Sequence, residues 1–180
     1  MRVRLVGRIG TARCALQIDV GFGDAVTPDP QSVVFPALLA DFAGPKLKVY
    51  PVYTVIAEKF QAMVVLGLAN SRMKDFYDIA VIAQRTGLEG ATLANAIAAT
   101  FARRNTPLLA QPPVALTREF GEDPAKQRQW HAFLNRSRIA AASLPDTIAL
   151  LYTLLWPATQ VARTASPATA LWRPKEQRWV

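Results

Sequence analysis

Lys59, Asp75 and Asp78 are the residues whose types and spacing could do chemistry. All three lie in VYPVYTVIAEKFQAMVVLGLANSRMKDFYDIAVIAQR, from Val49 to Arg85, which reads as two helices joined by a polar turn, Gly67 to Ser71. At about 100° per residue, Val52, Val55, Ile56, Met63 and Leu66 form one stripe of the first helix, with Lys59 near its middle. Thr54, Glu58 and Gln61 fall toward the opposite face. An ammonium on a buried face needs an anion or a wet cleft beside it. Two readings stand: the stem covers core while the ammonium snorkels to water, or Lys59 points into a cleft that holds phosphate. On the second helix Asp75 and Asp78 are three apart and share a face with Ile79 and Ile82. Two such carboxylates repel unless a cation sits between them. They also suit the positive end of a helix, and Arg72 and Lys74 are placed to neutralise them.

The elements that must position these residues follow from composition and order. The chain has 180 residues, 51% hydrophobic and 19% charged, which fits one globular domain and excludes a disordered one. A net charge of +8 favours an anionic partner, nucleic acid or nucleotide first. One cysteine, Cys14, excludes an intrachain disulfide and reads as a buried small hydrophobe; His131, the one histidine, reads as a surface residue. Zinc sites and Ser-His-Asp chemistry are thereby set aside. No signal-peptide core and no stretch of transmembrane length are read, so a cytoplasmic protein with no membrane partner is expected.

RVRLVGRI and CALQIDV alternate as strands and predict an antiparallel hairpin, Arg2 to Val20. Such a hairpin is marginal alone, so a larger sheet or a partner is expected to complete it. Asp19, near the end of the second strand and ahead of Gly21-Phe22-Gly23-Asp24, stands where a metal and a phosphate are often held; Asp24 reads equally as a turn residue. Five prolines make residues 27–51 a connector, with a short helix through Phe35 to Phe42. Further helices are expected over Ala91 to Arg104, Asp123 or Pro124 to Asn135, and Asp146 to Leu155, the last ended by Pro157. Arg103 and Arg104 suit a helix C-terminus. From Thr159 on, the basic and aromatic tail reads as frayed or as a nucleic-acid contact. The division expected is 1–48 for the β region and connector, 49–158 for a helical bundle, and 159–180 for the tail.

LQIDVGFGD, YPVYTVIAEKFQAM and NSRMKDFYDI, in that order, resemble the AbiEii/AbiGii-type nucleotidyltransferase toxins, and the resemblance runs from Gln17 to about Phe133 through TFARRNTP and QWHAFL. It implies an α+β, mostly helical fold: a β-hairpin from a nucleotidyltransferase-like mixed sheet, then a helical bundle. It implies transfer of a nucleotide from an NTP, with Mg²⁺, to an acceptor such as tRNA, and a cognate antitoxin as partner. Carried over by position, Lys59 contacts the NTP phosphates with Arg72 beside it. Asp75 orients or deprotonates the acceptor hydroxyl, Asp78 supports it, and Asp19 is a metal-binding strand carboxylate. The family's Gly-Ser pair and D-x-D do not occur ahead of Asp19. The expectation is therefore a truncated or split protein, inactive alone, or else a non-catalytic module that binds RNA or antitoxin.

Overall fold

The computed structural model describes residues 1–166 and 169–180. Among them the fold is α+β and mostly helical. Strands β1 (Arg2–Ile9) and β2 (Ala12–Asp19) pair antiparallel. Their register sets Val3 opposite Ile18, Leu5 opposite Leu16 and Gly7 opposite Cys14 on one apolar face; Arg2, Arg4, Arg8 and Arg13 share the other. Cys14 is exposed rather than buried, as are Leu5, Ile9, Leu16 and Ile18. The physical reason is that a two-stranded ribbon has no second layer of its own to cover its apolar side.

The connector forms a second hairpin, β3 (Gln31–Val34) with β4 (Lys46–Val49), in place of the expected short helix. Pro36 biases Phe35 away from helical backbone, and the Phe35 amide donates to the Pro45 carbonyl at 3.0 Å. Gly44 permits the close return, because a Cβ there would lie 2.3 Å from the Phe35 carbonyl oxygen. The connector is fastened to the bundle through Thr54. Its hydroxyl accepts from the Thr27 amide at 2.9 Å and donates to the Thr27 carbonyl at 2.8 Å.

Helices α1 (Val52–Leu66) and α2 (Met73–Arg85) are the expected pair, joined by a 3-10 turn at Gly67–Ala69. They pack with α3 (Gly90–Arg103), α4 (Arg118–Glu122), α5 (Pro124–Ser137) and α6 (Leu144–Thr164) around one core. Phe60 of α1 meets Phe101 of α3 with ring centroids 5.5 Å apart, and Phe76 of α2 stacks on Phe120 of α4 at 5.2 Å. The buried face of α1 is not the stripe expected. Thr54, Ile56, Ala57, Phe60, Gln61 and Met63 are buried, while Val55 and Leu66 are not. Burial of Thr54 and Gln61 is made tolerable by polar partners that periodicity alone does not show. Lys59 consequently sits at the rim of the buried face.

One 18-residue window, Val52–Ala69, is by length and composition alone apolar enough to cross a membrane, where no stretch of that length was expected. In the fold this segment is a bundle helix: it buries Phe60 and Met63 in the shared core and carries Lys59 paired with carboxylates.

Helix α6 runs through Pro157 instead of ending there. Proline has no N–H and so leaves the carbonyl four residues earlier without its helical donor. That carbonyl belongs to Thr153, and the Trp179 indole N–H donates to it at 3.2 Å, shared with the Leu154 carbonyl at 3.2 Å. Trp179 is delivered by β7 (Arg178–Trp179), paired with β6 (Leu171–Arg173), which pairs in turn with β5 (Leu88–Glu89). Trp172 is buried and donates to the Ala83 carbonyl at 2.7 Å. These strands are therefore folded onto the bundle, not frayed, and the division at 158 falls inside α6. Pro167 and Ala168 of the expected tail lie outside the described residues.

Candidate active site

The turn between α1 and α2 sets the geometry. Asn70 is fully buried, and its side-chain oxygen accepts from the Arg72 amide at 2.8 Å, which starts α2 in place. One turn later Asp75 faces α1. Lys59 Nζ donates to Asp75 Oδ1 at 2.6 Å and lies 2.7 Å from Asp78 Oδ2. The two carboxylates, three apart on one face, thus have the cation between them that their spacing requires.

Two further cations stand outside this triad. Lys74 reaches Asp78 Oδ2 at 2.5 Å, and Arg72 Nε lies 2.8 Å from Asp75 Oδ2. The Arg72 contact is an ion pair without a directed hydrogen bond, so Asp75 Oδ2 is buried with no donor aimed at it. Exposure orders the cluster: the side chains of Asp75, Lys59 and Asp78 are 5%, 20% and 22% exposed, those of Arg72 and Lys74 59% and 70%. Asp75, Lys59 and Asp78 lie inward, with Arg72 and Lys74 outside them. Burial opposes the charge on Lys59, but the bonds from Asp75 and Asp78 outweigh it and raise the ammonium above its ordinary value. Burial likewise works against the Asp78 carboxylate, and Lys59 and Lys74 more than offset it, holding that carboxyl low.

Beside the triad is a cleft of about 270 Å³ lined by Val55, Glu58, Lys59, Ala62, Arg72 and Arg104. Arg104 is the residue sequence reasoning missed as part of this site. It contacts Glu58 at 3.1 Å, the Gln61 side-chain oxygen at 3.0 Å and Asp24 at 3.5 Å. Arg103 donates to the Gly23 carbonyl. The pair read as a helix terminus therefore clasps the Gly21–Asp24 loop against α1. TFARRNTP, within the region of resemblance, was the available signal. Tyr50 closes this side by donating to Glu58 at 3.3 Å; burial and the charges of Glu58 and Asp24 push its phenol up.

Asp19 is placed elsewhere. Its carboxylate binds Arg2 at 2.6 Å across the hairpin and Gln17 at 3.1 Å on its own strand, and the Arg2 guanidinium holds it below the usual carboxylate range. Among the described residues, no hydrogen bond or ion pair joins Asp19 to Lys59, Asp75 or Asp78, and no group of three or more His, Cys, Asp or Glu side chains is arranged to hold a metal ion. Asp19, Asp75 and Asp78 each already face a cation, so these residues do not fit a divalent metal. The cleft itself presents Lys59, Arg72 and Arg104, with Glu58 the acidic residue among its lining.

A mostly helical bundle thus carries a lysine between paired carboxylates, on the wall of a cleft that Arg72 and Arg104 also line. Over residues 1–153 the chain matches the family described as Nucleotidyl transferase AbiEii toxin, Type IV TA system, and it belongs to that family. The family pairs such a toxin with an antitoxin. No curated protein and no solved structure matches the chain.

Proposed function

We propose that this protein binds an NTP at the Lys59 cleft and acts, as the toxin of a toxin–antitoxin pair, in nucleotide transfer to an acceptor such as the end of an RNA. The observation that carries the proposal is the fixed ammonium of Lys59, 2.6 and 2.7 Å from two carboxylates, on the wall of a cleft that also presents Arg72 and Arg104. Nucleotidyl transfer is mostly positioning and charge neutralisation. Lys59 and Arg72 neutralise phosphate oxygens in this reading. Asp75, whose Oδ2 is buried, and Asp78 keep Lys59 charged and in place. In this reading the protein acts in the cytoplasm, where NTP and RNA are found.

The divalent metal the family uses is not accommodated by these carboxylates, so no step is routed through it. The same observation favours a second reading, in which the chain alone binds NTP or RNA without transferring anything. Binding is accordingly the first measurement. A fluorescent NTP is titrated against the wild type and Lys59→Ala. Losing a charge-assisted hydrogen bond costs about 1.5–3 kcal/mol, so a roughly 10- to 100-fold weaker Kd is expected. Unchanged affinity sinks the proposal. Incubation with labelled NTP, Mg²⁺ and RNA then separates the two readings: Lys59-dependent label on RNA supports transfer, and binding without label supports the module.

A further inference from the structure

A second groove opens on the other side of Arg72. It has a volume of about 400 Å³ and lies between the start of α2 and the outer face of α5. Its polar lining is Ser71, Arg72, Lys74, Gln129, Arg136 and Ser137, with no acidic side chain. Arg136 has no ion-pair partner among the described residues. Arg72 and Lys74 turn their exposed ends outward while their carboxylate partners lie beneath.

A further positive charge lies below the groove. Lys126 is 7% exposed, and its ammonium donates to the Asn70 carbonyl at 3.0 Å and to the Gln129 side chain at 3.4 Å. No carboxylate pairs with it among the described residues. Charge that no counter-ion neutralises within the protein projects outward through the low-dielectric interior. Arg136 is unpaired among the described residues, Arg72 and Lys74 keep more than half their side chains exposed, and Lys126 stands one hydrogen bond away through Gln129; together they suit an anion more extended than one phosphate.

We infer that this groove binds the phosphodiester backbone of a single-stranded RNA and leads its end past Arg72 into the Lys59 cleft. Arg72 lines both spaces, so they adjoin across its side chain. An acceptor must bring its hydroxyl to the cleft while its own phosphates remain neutralised, and a cationic track opening at Arg72 does both. The direction of the strand rests on the nucleotide-transfer reading; occupation of the groove by RNA does not. Arg136 and Lys74 contact phosphates, and Ser71, Gln129 and Ser137 offer neutral hydrogen bonds to phosphate or ribose.

The test is binding of a fluorescein-labelled single-stranded oligoribonucleotide to the full chain over a salt series. Each single-strand phosphate contact contributes a slope of about 0.7 in log K against log salt, or roughly fivefold in affinity near 0.1 M salt. Arg136→Gln and Lys74→Gln are each expected to weaken binding about fivefold and lower the slope by about 0.7. Arg163→Gln, the same charge change in the last turn of α6, is the control and is expected to change neither. NTP binding is expected to be unchanged in Arg136→Gln. An unchanged slope in both groove variants overturns the inference. So does equal weakening by Arg163→Gln, or poly-glutamate binding as tight as RNA and equally dependent on Arg136. The Lys59→Ala titration is scored separately, so the nucleotide reading can fail while the RNA groove stands, and the reverse.

Discussion

Replacing Lys59 by methionine keeps much of the stem and removes the ammonium, which isolates what that charge does for the fold. Asp75 and Asp78 each lose a cation, at 2.6 and 2.7 Å. Deleting one partner of a fully buried pair costs about 3–5 kcal/mol, while an exposed pair is worth about 0–1 kcal/mol. Lys59 is one-fifth exposed, and Arg72 and Lys74 still serve the two carboxylates. A loss of about 2 kcal/mol is therefore expected, or roughly 4–8 °C in Tm for a chain of this length.

The pH dependence carries the sharper signature. Asp78 has a folded-state pKa below its ordinary 3.8, so its contribution is present above that value and fades as pH falls through the folded pKa. Lys59 is raised above 10.5, so its contribution is present below that value and fades as pH rises through the folded pKa. The difference between wild type and Lys59→Met should be greatest between these limits and shrink in acid, where Asp78 protonates. Urea unfolding followed by tryptophan fluorescence, at neutral pH and in acid below 3.8, measures it. An equal loss at both would show that the stem packs and the charge contributes nothing, which refutes the electrostatic account of the triad.

Two other expectations concern how the site is held. Trp179→Phe keeps an aromatic ring against Trp172 but removes the donor to the Thr153 carbonyl, so it should cost about 1–2 kcal/mol; hydrogen exchange should rise in α6 around Pro157, and unaltered protection there would count against the indole's role. Thr54→Val leaves the Thr27 amide and carbonyl without their partner and should cost about 1–3 kcal/mol. Its effect is expected in faster exchange of the connector, read by mass spectrometry, with α2 and α6 unchanged.

Much of the helical part was legible because a 3.6-residue period and local stop signals act over short distances. The bounds of α2, α3 and α5 fall within a residue or two of those read from pattern, and the hairpin β1–β2 follows from simple alternation. Errors arose where a distant group overrode a local rule. Pro157 would end an isolated helix, but an indole 22 positions later supplies the missing donor. Thr54 and Gln61 looked solvent-facing until Thr27, Thr106 and Arg104 satisfied them. A short helix was expected through Phe35 to Phe42, where the chain instead links the paired strands β3 and β4.

By itself the sequence determined that a lysine and two carboxylates lie on neighbouring helices, that the chain carries excess positive charge, and which family its motifs resemble. Spacing within a helix is fixed by backbone geometry, so those statements needed no coordinates. Only the tertiary structure decided that Lys59 sits between Asp75 and Asp78, that Arg104 joins the cleft, and that Asp19 turns to Arg2 instead. The ion pairs that decided these points join side chains brought together by packing, from 16 positions apart for Lys59 and Asp75 to 80 for Arg104 and Asp24.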